Sequence, residues 1–236
     1  MKYYIYLYLL VSVFLWSSCG KVTPEGEIKS EDTPLEVFNK LELEGKYRLF
    51  FIQGEENFVN VETYPNLISN LKIKVEDSTL KIIEKRPTGN VDFYTVTVYS
   101  KTPLKQISIS DSVEMNVSGD IKTPTLKINL KNQGKFIGAI KTSKAEVQMT
   151  EKSRANFSGV TKEAVLKISD TASIIAPYWT VDYFDIQSKN GNYAEINTKE
   201  EISGKVENTA KLVYYGNPIR KLKIDKDTKV ENKEKP

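Results

Sequence analysis

No histidine occurs among the 236 residues, which excludes zinc sites of the common types, Ser-His-Asp or Cys-His catalysis and imidazole general bases. Cysteine is almost as scarce. The single one, Cys19, cannot close an intramolecular disulfide, so a disulfide scaffold is excluded too. Charge of one sign is also missing, because 34 basic and 31 acidic side chains are mixed finely along the chain. That near balance gives no field that argues for nucleic acid or an acidic membrane surface as partner. There is no Gly-rich phosphate loop, metal-ligand cluster or nucleophile elbow, so neither cofactor nor metal is expected and no catalytic set is assembled. The length suffices for one large domain or two modest ones with a real core.

The one long apolar run stands at the start. Lys2 is followed by apolar residues from Tyr3 to Trp16, then Ser17-Ser18-Cys19-Gly20. A basic start, a short apolar stretch and small residues at a cleavage point describe a secretory signal peptide. The run is shorter than the roughly 18–20 residues that span a bilayer as a helix. It resembles a bacterial lipoprotein signal, in which lipid is attached to the cysteine that becomes the first mature residue. Ser18 and Gly20 suit that pattern; Trp16 departs from it, since an aliphatic residue usually stands three before the cysteine. The resemblance implies a signal peptide over 1–18, lipidation at Cys19 and an outer-membrane lipoprotein on its periplasmic or surface face. Residues 19–34 carry few apolar groups, with Pro24 and Pro34 breaking any helix, and are expected to form a flexible, solvated tether.

From Leu35 onward the two-residue period of half-buried strands dominates: Leu41 and Leu43; Leu71, Ile73 and Val75; Leu80 and Ile82; Val96 and Val98. Glu76-Asp77-Ser78-Thr79 reads as a hairpin loop between two such runs. Residues 35–100 are therefore expected to be a β-strand region, antiparallel near its start. Beyond Pro103 a repeat sets in. Ile109, Leu130, Met149, Ile168, Ser188 and Asn208 align at intervals of 21, 19, 19, 20 and 20 residues. Two positions earlier stand Ile107, Ile128, Val147, Leu166, Ile186 and Val206, apolar every time. Such a unit cannot bury its own face, but units stacked at strand spacing share one core. The expected fold is all-β, with N-terminal antiparallel strands leading into a parallel β-helix of about six rungs over 101–225. An irregular antiparallel sandwich is the alternative. Residues 226–236 are charged and expected to be a disordered tail.

Two stretches carry a family likeness. In Val37–Ile82 a Phe-x-x-x-x-x-x-Gly pattern precedes a β run ending Ile52-Gln53-Gly54, then Val-x-Val and Leu-x-Ile. Leu104–Gly119 (LKQISISDSVEMNVSG) opens the repeats, and Tyr214–Pro218 (YYGNP) closes them. The mature chain thereby resembles the head GIN domain family, for which an auto-transporter adhesin role has been inferred and whose members are common as lipoproteins in Bacteroidetes-type bacteria. The family's Ser-Gly corners survive here at Ser118-Gly119, Ser158-Gly159 and Ser203-Gly204. The resemblance implies a β-helical fold and an envelope location, and no activity.

β-Helices also host enzymes acting on polysaccharides, so carboxylates need weighing. Asp111, Asn132, Glu151, Asp170 and Asn190 stand two places past the repeat reference and should stack up one corner, about 4.8 Å apart. Glu151 and Asp170 would then match the roughly 5 Å separation of a retaining glycosidase pair. The plainer reading is a ladder of turn residues that bond local backbone. Aromatic density peaks at Tyr178-Trp179, with Tyr183 close behind, after a proline that suggests a loop leaving the stack. Exposed, these aromatics would bind a surface glycan or protein partner; otherwise they cover the core. Asp77-Ser78-Thr79, Asp111-Ser112-Val113 and Asp170-Thr171-Ala172 match a short O-glycosylation pattern that a turn reading explains equally well.

Overall fold

The computed structural model describes residues 20–234. The signal segment over 1–18 and Cys19 lie outside them. The chain forms a parallel β-solenoid of about seven turns, closed at its N-terminal end by antiparallel strands. Five long strands make the regular part: β9 (Glu114–Leu130), β10 (Lys135–Met149), β11 (Arg154–Ser169), β12 (Ser173–Lys189) and β13 (Tyr193–Glu207), each pairing in parallel with the next. These run longer than ordinary strands because each bends twice without leaving its neighbours. In β12 the alternation of buried residues slips at Pro177–Tyr178 and again at Asp182–Tyr183, and a third corner follows at Asn190. Each turn therefore has three sides.

The apolar repeats become interior columns. Met115, Phe136, Ala155, Ile174, Ala194 and Leu212 are in register and buried, as are Ile109, Leu130, Met149 and Ile168. Rings also pack across rungs, Phe136 stacked on Phe157 at 4.9 Å and Phe157 tilted against Trp179 at 5.0 Å between centroids. Ser188 is the one polar member of its column. Its hydroxyl donates to Asn192 Oδ1 at 2.8 Å, and the Asn192 amide donates to the Ile168 and Lys189 carbonyls, so nothing polar there is left unpaired. The next member is Val206 and not Asn208. The aligned interval fails because β13 has no counterpart to Pro177–Trp179, where pairing jumps from Ala176↔Ile196 to Thr180↔Asn197, and regains only one residue at the next bend, between Val181↔Thr198 and Tyr183↔Glu201.

The first turns come from the N-terminal region. β2 (Lys40–Glu44) and β3 (Arg48–Gln53) pair in parallel with β8 (Gln106–Ile109) and β9, and β6 (Thr79–Glu84) and β7 (Thr95–Ser100) stack beyond them. There the parallel ladder stops. β5 (Leu71–Glu76) returns on β6 through Asp77 and Ser78, whose φ of 48° and 59° are those of a tight type I′ hairpin. β4 (Phe58–Thr63) runs antiparallel to β7, and the short helix α1 (Pro65–Asn70) buries Leu67 in the end of the core.

Two expectations are corrected. The tether expected over 19–34 is docked from Val22 on, and β1 (Lys29–Pro34) pairs antiparallel with β4. The tail expected beyond 225 forms β16 (Lys229–Lys233), which pairs with β14 (Lys211–Tyr215), while β15 (Ile219–Ile224) pairs with β13. Both segments are polar because they lie at exposed sheet edges, where the backbone ladder holds them and few apolar side chains are required.

Candidate functional site

The third corner is built by one backbone requirement. Asp111, Asn132, Glu151, Asp170, Asn190 and Asn208 all adopt left-handed φ, between 46° and 65°. Asn and Asp tolerate that region because their short side chains bond nearby backbone. The side chains then stitch the turns together. Asn132 donates to Asp111 Oδ1 at 2.8 Å, and Asn190 donates to Asp170 Oδ1 at 3.3 Å. The Glu151 carboxylate accepts from the Asn132 backbone N–H, and Asp170 Oδ2 accepts from the Glu151 N–H at 3.2 Å. That Glu151 N–H lowers the Asp170 carboxyl pKa from its ordinary value, helped by Ser169 and Asn190. A retaining pair needs one carboxyl with a raised pKa facing a cleft. Here each carboxylate is turned onto the preceding turn's main chain. The depression at this corner, about 360 Å³, is lined by Asp111, Asn132 and Glu151 but not by Asp170 or any aromatic ring.

The aromatics separate. Trp179, expected on an exposed loop with Tyr178, is wholly buried: its ring packs on Phe157 and Phe184, and its indole N–H donates to Thr161 Oγ1 at 2.9 Å. No loop leaves the stack here, since Pro177 and Tyr178 are absorbed as a bulge within β12, with Asn197 donating to the Pro177 carbonyl. The bulge turns Tyr178 outward, at 70% exposure, and Trp179 inward. Exposed Ile175 precedes Tyr178 on the same strand, and exposed Val160 and Ile137 stand on β11 and β10, one and two turns before it. Tyr183 sits at the next bend, 48% exposed, so the two tyrosines occupy different corners and do not form one platform.

A feature not singled out from the sequence lies on the side between the second bend and the left-handed corner. Outward positions there form two parallel columns, Lys127–Glu146–Val165–Asp185–Ser203 and Asn129–Gln148–Lys167–Gln187–Lys205. They border two depressions of about 660 and 170 Å³ that share Gln148 and Lys167, making one trough across the turns. Amide, ammonium and carboxylate groups recurring about every 4.8 Å offer donors and acceptors to a polymer with its own repeat. The signal was present, because from Asn129 to Gln187 the second column is simply the residue before each repeat reference.

Solved structures share this architecture. A putative adhesin from Bacteroides fragilis superposes with a TM-score of 0.82 over 90% of this chain and 100% of its own, at 19% identity. A putative adhesin from Parabacteroides distasonis gives 0.73 over 91% and 100%, at 18% identity. A putative lipid binding protein from the same organism gives 0.75 over 91% and 100%, at 14% identity. At such identities the likeness establishes the fold. Among curated proteins, none is similar to this chain in sequence. The profile described as "Putative auto-transporter adhesin, head GIN domain" matches residues 37–218, most of the chain, and the chain belongs to that family.

Proposed function

We propose that this chain is an exported cell-envelope lipoprotein, acylated at Cys19 and held at the outer membrane, that binds a surface polymer or a protein partner along the flank of its solenoid and catalyses no reaction. The observation that carries the reading is the trough: a rigid row of amides and charges, repeated by stacking, on a surface whose backbone is fully laddered. The adhesin names given to the family and to its solved relatives support the envelope location and the binding role. The rival, a polysaccharide-acting enzyme using Glu151 and Asp170, is disfavoured by carboxylates committed to backbone N–H groups.

The test is a glycan array and a protein pull-down with the wild type, repeated with Gln148→Ala plus Gln187→Ala on the best hit. Two lost hydrogen bonds of about 1 kcal/mol each predict a tenfold or larger loss of affinity. Unchanged binding by that variant, with loss on Tyr178→Ala, would move the site to the first bend and sink the trough reading. Released sugar that disappears with Glu151→Gln would establish the enzyme instead.

A further inference from the structure

The chain is docked almost as soon as it leaves Cys19. Val22 is buried in the core cluster; its N–H donates to the Pro87 carbonyl at 2.9 Å and its carbonyl accepts from the Gly89 N–H at 2.9 Å. The following residues are fastened too. Asn66 donates to the Thr23 carbonyl at 2.7 Å and accepts from the Glu25 N–H at 3.1 Å. All these partners belong to the N-terminal end of the solenoid, since residues 85–94 join β6 to β7, the last parallel strands, and Asn66 lies on α1. Cys19 and Val22 are three residues apart, and three extended residues span at most about 11 Å.

Resting on the reading that Cys19 is acylated, we infer that the short link from Cys19 to Val22 holds the N-terminal end of the solenoid against the lipid surface, with β15 and β16 forming the membrane-distal end. Acyl chains buried in the bilayer leave no slack for the body to turn away, because the link is shorter than the body is long. Seven turns at about 4.8 Å extend the stack roughly 30 Å from that end. The surface around the docking point suits anionic headgroups. Lys21 precedes Val22, exposed Lys85 and Arg86 precede Pro87, and Lys46 Nζ bonds the Gly89 carbonyl at 3.2 Å and Asn90 Oδ1 at 3.1 Å. Glu84, which accepts from the Lys46 N–H, is half-buried, and Glu25 is the nearest acid along the docked segment. The trough then runs outward from the bilayer, presented to whatever approaches the membrane.

The experiment uses full-length protein matured in a lipoprotein-processing host and reconstituted in vesicles of phosphatidylethanolamine and phosphatidylglycerol. With Cys19 acylated, Lys85→Cys or Asp227→Cys supplies the only free thiol for a fluorophore. A fraction of headgroup spin-labelled lipid serves as quencher. Quenching should be several-fold stronger at 85 than at 227, and twelve Gly/Ser residues inserted between Lys21 and Val22 should bring the two to the same low level. Equal quenching at both positions without the insert, in protein that carries the acyl group and floats with the vesicles, overturns the inference and leaves anchorage standing. Strong quenching at 85 that survives the insert also overturns it, since the short link would not be what holds the body. Protein that carries no acyl group and does not float overturns the anchorage itself.

Discussion

The middle turns and the N-terminal end of this solenoid solve different problems with the same chain. From Lys135 to Ser169 every strand has a parallel neighbour on each side, and inward positions need only be apolar and of compatible size. From 20 to 100 the chain must stop that ladder, and it does so with a hairpin, an antiparallel pair and a helix turn that buries Leu67. A stacked repeat cannot terminate itself; an uncapped turn would expose both its core and its edge. The middle is therefore sensitive to what lies inside it, and the end to how its polar groups are paired.

The sharpest way to break the comparison is to put a charge inside a middle turn. Ile168→Asp places an unpaired carboxylate between Met149 and Ser188, where Ile168 is 1% exposed. A loss of several kcal/mol is expected, enough to abolish cooperative folding in a denaturant titration. Trp179→Ala comes next. It empties the space between Phe157 and Phe184 and removes the donor to Thr161, with an expected loss of about 3–5 kcal/mol. A Trp179→Ala protein as stable as wild type would show that the indole is not a core group. For the same reason this substitution cannot report on ligand binding, whereas Tyr178→Ala can.

The same contrast explains what the sequence made legible. Alternating apolar residues announced the strands, and the interval near 20 announced the stack, because burial imposes both patterns directly. The last turn was misplaced by two residues, since three bulge residues in β12, offset by one extra residue in β13 between Thr198 and Glu201, shift a count without altering the alternation beside it. Trp179 looked like a surface aromatic for a related cause: next to Pro177 and Tyr178, the sequence does not fix which of two neighbours the bulge turns inward. Residues 20–34 and 226–233 were unreadable as strands because an edge strand held by backbone bonds needs no apolar face. The corner column was visible as a row of acids and amides, but its left-handed backbone was not, and that backbone is what commits Glu151 and Asp170 to the neighbouring turn.

At the capped end the effect depends on pH. Glu84 accepts from Thr88 Oγ1 at 2.8 Å and from the Lys46 N–H at 3.1 Å, yet burial outweighs these bonds and pushes its pKa up. A carboxyl with a raised folded-state pKa contributes stability below its unfolded pKa and loses it as pH rises through the folded value. Glu84→Gln keeps one acceptor and a donor for the same partners and removes the ionisation. Its melting temperature should exceed the wild type's near neutral pH, and the difference should close as pH falls below the carboxylate range. A constant difference across pH would mean that the charge of Glu84 is not what burial disfavours.

The smallest effect is expected at the left-handed corner of a middle turn, two residues along the chain from the most damaging substitution. Asp170 is exposed, and its Oδ2 accepts from the Glu151 N–H while Oδ1 accepts from Asn190. Asparagine keeps the shape, tolerates φ near 63° as Asn132 and Asn190 do, and retains one carbonyl oxygen for the Glu151 N–H. What Asp170→Asn loses is the second acceptor, and with it the bond to Asn190, in a setting open to water. The expected change is below about 1 kcal/mol at neutral pH. The lowered pKa of Asp170 gives this change a sign: a depressed carboxylate contributes stability above its unfolded pKa and loses it as pH falls through the folded value. Wild type should therefore be slightly more stable than Asp170→Asn at pH 7, and the difference should vanish in acid. Two chemical-denaturation series, at neutral pH and near pH 3, measure this directly. A loss as large as that of Ile168→Asp would mean that the corner, and not the interior, holds the turns in register.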